Sequence, residues 1–243
     1  MSVLTLQQFA KDGAADEIQK LLNVKAIDVD EMGETGRTAL HCASETYHDE
    51  VVSVLLQAGA DVNVYDTGFS RFGKGGWTPL LYAVSYESVN NVKLLLDAGA
   101  SVDARVLEDD AFGCKPSTAE KGETALFFAV EKGDQREIVE LLLRAGACAS
   151  LTARKNGVSP IHLAAKNEEV GVVELILQSA GVDANAKTAE HRTPLHFAAA
   201  HSTAEVIDSL IEHGADVDAR ASSQRTPLSL TAGRNIDVVS RLL

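Results

Sequence analysis

Thr193-Pro194-Leu195-His196-Phe197-Ala198-Ala199, running on to Gly214-Ala215-Asp216-Val217-Asp218, is the stretch whose reading decides the fold. Thr193 can cap a helix with its hydroxyl, and Pro194 suits the first helical position, where the N–H it lacks would have had no partner. Leu195, Ala198 and Ala199 give that first short helix an apolar stripe. Val206, Ile207, Leu210 and Ile211 then recur at i, i+1, i+4 and i+5, the spacing of a second amphipathic helix. Gly214 supplies the left-handed residue that ends it.

The unit recurs outward in both directions. Thr38-Ala39-Leu40-His41, Thr78-Pro79-Leu80, Thr124-Ala125-Leu126, Ser159-Pro160-Ile161-His162, Thr193-Pro194-Leu195-His196 and Thr226-Pro227-Leu228 stand 40, 46, 35, 34 and 33 residues apart. Matching turns fall at Gly59-Ala60-Asp61-Val62-Asn63, Gly99-Ala100-Ser101-Val102-Asp103, Gly146-Ala147, Gly181-Val182-Asp183-Ala184-Asn185 and Gly214-Ala215-Asp216. This pattern resembles the ankyrin repeat, with its period of about 33 residues and its T-P-L-H-x-A signature. The resemblance spans residues 34–243. It implies an all-α ankyrin-repeat solenoid of helix-turn-helix units joined by β-hairpin-like loops. A single domain over residues 1–243 is expected, with repeats at 34–66, 74–106, 120–153, 154–187 and 188–220. Residues 1–33 carry no anchor, but Leu4, Leu6, Phe9 and Ala10, then Ile18, Leu21 and Leu22, predict two short helices of a capping unit. Residues 221–243 form an incomplete last repeat, which predicts that the natural chain continues past Leu243.

Two insertions break the period. Tyr65 to Trp77 carries seven residues beyond it, with Phe69, Phe72 and Trp77 among four glycines; Val106 to Glu120 carries thirteen. Both fall between a Gly-Ala turn and the next anchor, so both are expected to lengthen neighbouring hairpins on one side of the array. Polar, glycine-bearing insertions belong on the surface and cost little entropy.

Charge and composition exclude several classes. Formal net charge is −13, and residues 1–120 hold 9 basic against 19 acidic groups. A phosphate backbone would be repelled, so nucleic acid is not expected as a partner. No run of 18 apolar residues exists, which argues against membrane insertion, and no signal peptide is visible at the N-terminus. Three scattered cysteines, Cys42, Cys114 and Cys148, suit a reducing cytoplasmic or nuclear setting.

No catalytic, cofactor or metal site is expected. Gly68-Phe69-Ser70-Arg71-Phe72-Gly73-Lys74-Gly75 approaches a phosphate-binding loop, but Gly75 stands where magnesium needs a hydroxyl, so a hairpin is favoured. His41, His162 and His196 all hold the fourth anchor position, and periodic placement indicates a structural role. In the ankyrin pattern this side chain bonds turn backbone and ties neighbours together. His41-Cys42 has poor zinc geometry and no second Cys pair nearby. Leu55 to Asn63 and Leu177 to Asn185 resemble the pattern recognised by asparaginyl hydroxylases, although such an Asn ordinarily bonds the turn backbone.

What remains is recognition. The resemblance implies a groove lined by the residue before each anchor and the two beyond the first helix's Ala pair. The first set is Arg37, Trp77, Glu123, Val158, Arg192 and Arg225. The second is Glu45-Thr46, Ser85-Tyr86, Glu131-Lys132, Lys166-Asn167, Ala200-His201 and Gly233-Arg234. The residues expected to meet a partner are Arg37, Phe69, Phe72, Trp77, Tyr86, Lys132, Lys166, Arg192, His201, Arg225 and Arg234. Trp77 and Tyr86 are the types that often dominate binding energy, with packing under the long hairpin as the equal alternative. Lys166, Arg192, Arg225 and Arg234 make the C-terminal part of the groove basic, a match for an acidic peptide. The expected protein is a monomeric, non-catalytic scaffold that binds a protein or extended peptide. The alternative is a targeting or regulatory region of a larger protein, with its effector domain beyond residue 243.

Overall fold

The computed structural model describes residues 5–24, 27–67, 69–70, 73–106, 122–152, 156–201, 203–231 and 236–243. Most of the second long insertion, with Cys114, and also Phe72 and Arg234, lie outside the described residues. Contacts group the chain into two compact units, residues 1–125 and 126–243.

The first unit opens with the two short helices expected of the N-terminal segment, α1 (Leu6–Asp12) and α2 (Ala15–Asn23). Two further hairpins follow: α3 (Ala39–Ser44) with α4 (Asp49–Gln57), and α5 (Pro79–Ser85) with α6 (Val89–Asp97). Helices α1, α3 and α5 pack side by side as one layer, and α2, α4 and α6 as the other. Each anchor threonine caps its helix: Thr38 Oγ1 accepts the His41 N–H, and Thr78 Oγ1 accepts the Leu81 N–H. Gly59 and Gly99 sit at φ +89° and +86°, where a Cβ would be strained, and let Ala60 and Ala100 donate back to Leu55 and Leu95. Ile18, Leu40, Val51, Leu55, Leu80, Val92 and Leu95 are buried between the layers.

In the second unit the order is α7 (Ala125–Lys132), α8 (Arg136–Arg144), α9 (Pro160–Lys166), α10 (Val170–Leu177), α11 (Pro194–His201) and α12 (Ala204–Glu212). The last repeat begins with a single 3-10 turn, Leu228–Leu230, in place of a full first helix, and ends with α13 (Ile236–Arg241). Helix α9 packs on α11 and α11 on the 3-10 turn, while α8, α10, α12 and α13 follow one another in the second layer. Ile138, Leu142, Ile161, Val173, Ile176, Leu195, Ile207 and Leu210 are buried there.

Loops between repeats are stitched at their tips. Asn63 Oδ1 accepts the Ser101 N–H at 2.8 Å, and its Nδ2 donates to Gly99 O. Asn185 repeats the arrangement, accepting from the Asp216 N–H at 2.7 Å and donating to Gly214 O at 2.8 Å. Phe69–Ser70 pairs antiparallel with Gly73–Lys74, so the stretch that approached a phosphate-binding loop folds as a hairpin ahead of α5.

Candidate functional site

The anchor histidines place the backbone of the residue before the next anchor. The Thr38 N–H donates to His41 Nδ1 at 3.2 Å, which leaves the proton on Nε2 to donate to Val64 O at 3.0 Å and Trp77 O at 3.1 Å. His162 takes the Ser159 N–H and donates to Ala186 O and Arg192 O. His196 takes the Thr193 N–H and donates to Arg225 O at 3.0 Å. Burial favours the neutral form of all three: it lowers His162 and His196 and pushes His41 down to about 4. A neutral ring is what the one accepting and one donating nitrogen require.

In the second unit those restraints build a cleft. The carbonyl of Arg192 accepts both His162 Nε2–H and the Thr188 N–H, and that of Arg225 accepts both His196 Nε2–H and the Ala221 N–H. With each backbone held twice, the two arginine side chains lie on an open cleft of about 470 Å³. Val158, Leu163, Phe197, Ala200 and Leu230 supply its apolar lining, with the Phe197 ring 5.3 Å from that of His162. Lys166, Arg192, His201 and Arg225 supply its polar rim, together with Asn156 and Glu190. Arg192 Nη2 pairs with Glu190 Oε2 at 3.0 Å. Among the described residues no carboxylate pairs with Lys166 or Arg225, so cationic charge is in excess.

The sequence register therefore converges on one surface for Val158, Lys166, Arg192, His201 and Arg225. It does not do so for three residues in the first unit. Trp77, expected as a partner contact or as packing, is 2 % exposed and takes the packing role against Tyr82, ring centroids 5.4 Å apart. Arg37, also expected to face a partner, is buried; its guanidinium pairs with Glu45 and lies 5.7 Å over the Tyr82 ring. The same register at Glu123 is buried as well. Tyr86 is half-buried, its carbonyl accepting the exposed Tyr47 hydroxyl at 3.0 Å, and Lys132 is exposed at the end of α7.

Asp66 holds the backbone of Trp77, and sequence reasoning missed it. Its carboxylate, fully buried, accepts the Trp77 N–H and the Tyr82 hydroxyl, each at 2.7 Å. The Asp66 N–H donates to Trp77 O, and the Gly76 N–H donates to Asp66 O. The backbone at the foot of the first long insertion is thus held closed by Asp66.

A family model described as ankyrin repeats (3 copies) matches residues 6–106, 108–188 and 171–243. The mouse B-cell lymphoma 3 protein homolog is 34% identical over 126 residues, 52% of this chain and 24% of that one. The rat transient receptor potential cation channel subfamily V member 6 is 36% identical over 139 residues, 57% of this chain and 18% of that one. This chain spans a quarter or less of the length of these curated relatives. Among solved structures, the ankyrin repeat domain of Bcl-3 superposes with a TM-score of 0.74 at 27% identity, covering 99% of this chain and 98% of its own. The human ASB11 ankyrin repeat domain gives 0.73 at 26% identity, covering 98% and 95%.

Proposed function

Because the chain belongs to the ankyrin-repeat family, we propose that it is a non-catalytic protein-binding module whose second unit seats an extended segment of a partner. The observation that carries this is the cleft on α9 and α11, where an apolar floor lies beneath Lys166, Arg192 and Arg225. Apolar lining with a few placed polar groups is the usual make-up of a recognition site. The cationic rim favours a partner segment that carries acidic side chains. The three anchor histidines, His41, His162 and His196, are occupied by turn carbonyls, which supports a role in binding. Phe69, Phe72 and Tyr86 of the first unit are proposed as further contacts, and Lys132 and Arg234 of the second as further cations. Arg37 and Trp77 are not. The protein acts as a monomer inside the cell, in cytoplasm or nucleus; among the described residues no helix is long and apolar enough to cross a membrane.

A second reading draws on the short share of the curated relatives that the match covers: the repeats serve as the targeting or regulatory part of a larger protein. Both readings place recognition in the cleft. A photo-crosslinking amino acid at His201, on the cleft, should give adducts with a partner in cells; the same group at Glu174, exposed on α10, should give none. Equal adducts from both positions would defeat the proposal.

A further inference from the structure

Building on that proposed role for the cleft, we propose that it selects a segment in which an apolar residue and two acidic residues are spaced three apart, apolar-x-x-acidic-x-x-acidic. Glu190 competes with one of those acids for Arg192. The spacing follows from the repeat. Val158, Arg192 and Arg225 hold the same register in successive repeats, directly before Ser159, Thr193 and Thr226. Their first helices pack on one another, α9 on α11 and α11 on the 3-10 turn, and packed helices stand roughly 8–10 Å apart. A polyproline-type extended chain turns every three residues and rises about 3.1 Å per residue. Its positions i, i+3 and i+6 therefore share one face at steps of about 9 Å, in phase with the repeats. The buried Val158, beside Leu163 and Phe197 on the cleft floor, can meet only an apolar side chain without leaving a polar group unpaired. Arg192 and Arg225 can each meet a carboxylate with the fork geometry that guanidinium favours.

Glu190 already shows that chemistry from within the chain. Its backbone carbonyl accepts the Ser222 N–H at 2.9 Å, which fixes it at the hairpin tip beside the cleft. Its side chain reaches Arg192 while 67% exposed. A partner's acid must displace it, so the internal pair lowers affinity for acidic segments.

The test pans a phage-displayed random peptide library on the full chain. The best recovered peptide is then measured by fluorescence anisotropy against the wild type, E190Q, R192Q, R225Q, A200W and the E190Q/R192Q pair, with circular dichroism confirming that each is folded. Recovered peptides should share the two acids and the apolar residue at three-residue steps. R192Q and R225Q should each weaken binding about two- to fivefold, and E190Q should tighten it by a similar factor, the scale of an exposed ion pair. In the R192Q background the gain from E190Q should vanish. Peptides blocked by A200W that lack the spaced acids, or an unchanged affinity in E190Q, would overturn this inference and leave the cleft as the binding site. Failure to recover any peptide, or peptides indifferent to A200W, R192Q and R225Q together, would remove the cleft reading as well.

Discussion

Replacing Asp66 with alanine should cost the first unit about 2–4 kcal/mol, while Asp66→Asn should cost under about 1 kcal/mol. The difference is worked from two hydrogen bonds. Asp66 is fully buried and accepts the Trp77 N–H and the Tyr82 hydroxyl at 2.7 Å each. Alanine leaves both donors buried without an acceptor, and each such orphan costs about 1–3 kcal/mol. Part of that sum is offset, because burial raises the Asp66 carboxyl above its ordinary value and the charged form is a burden to the folded state. The sign is fixed by linkage. A raised carboxyl binds its proton more readily when folded, so its contribution is most favourable below 3.8 and is lost as pH rises through the folded value. Asparagine sheds that burden at neutral pH, keeps an oxygen for the Trp77 N–H, and can donate its amide to the Tyr82 oxygen. Trp77 is the chain's one tryptophan, so urea unfolding followed by its fluorescence reports this site directly. An alanine variant within about 0.5 kcal/mol of the wild type, or an asparagine variant as unstable as alanine, would refute the clamp.

Acid should weaken the first unit through His41. Burial holds it at about 4 against an ordinary 6.5, so the unfolded chain takes up the proton first and stability falls as pH drops between those values. The loss approaches about 3 kcal/mol at the low end. It is best read in the D66N background, where the opposing carboxyl is absent, and a flat urea midpoint from pH 6.5 to 4 would contradict it. Asn185→Ala should remove both bonds between neighbouring hairpin tips and cost about 1 kcal/mol. Hydrogen exchange of the Asp216 amide should quicken in that variant, and an unchanged rate would show that Asn185 does not hold the tip.

Much of the architecture was readable because its causes are local. A capping Thr or Ser, a proline at the first helical position, an apolar stripe and a closing glycine act within one repeat, and the histidine makes its own helix-start bond within four residues. The cleft was partly readable for the same reason: register puts Val158, Arg192 and Arg225 in equivalent places. Exposure at that register was not readable. Trp77 packs on Tyr82 while Asp66, eleven residues earlier, holds its backbone N–H, and Arg37 is enclosed by Glu45 and the Tyr82 ring. Asn91 in α6 is a third case, a polar residue on a helix whose Nδ2 donates to Thr46 O at 2.6 Å in the preceding repeat. Except for Arg37–Glu45, those pairings join residues from different repeats, and nothing in one residue's neighbourhood announces them. A signal did exist for Asp66: an acid at the foot of an aromatic, glycine-rich insertion needs donors if it is to be buried.

Recognition through the second unit is tested most directly by reversing Arg192 and Arg225 to glutamate together and measuring affinity for the partner captured through His201. Both side chains are exposed, so the thermal midpoint should hold within about 2 °C while affinity falls tenfold or more, as like charges meet in the cleft. Unchanged affinity in a folded double variant would contradict the assignment.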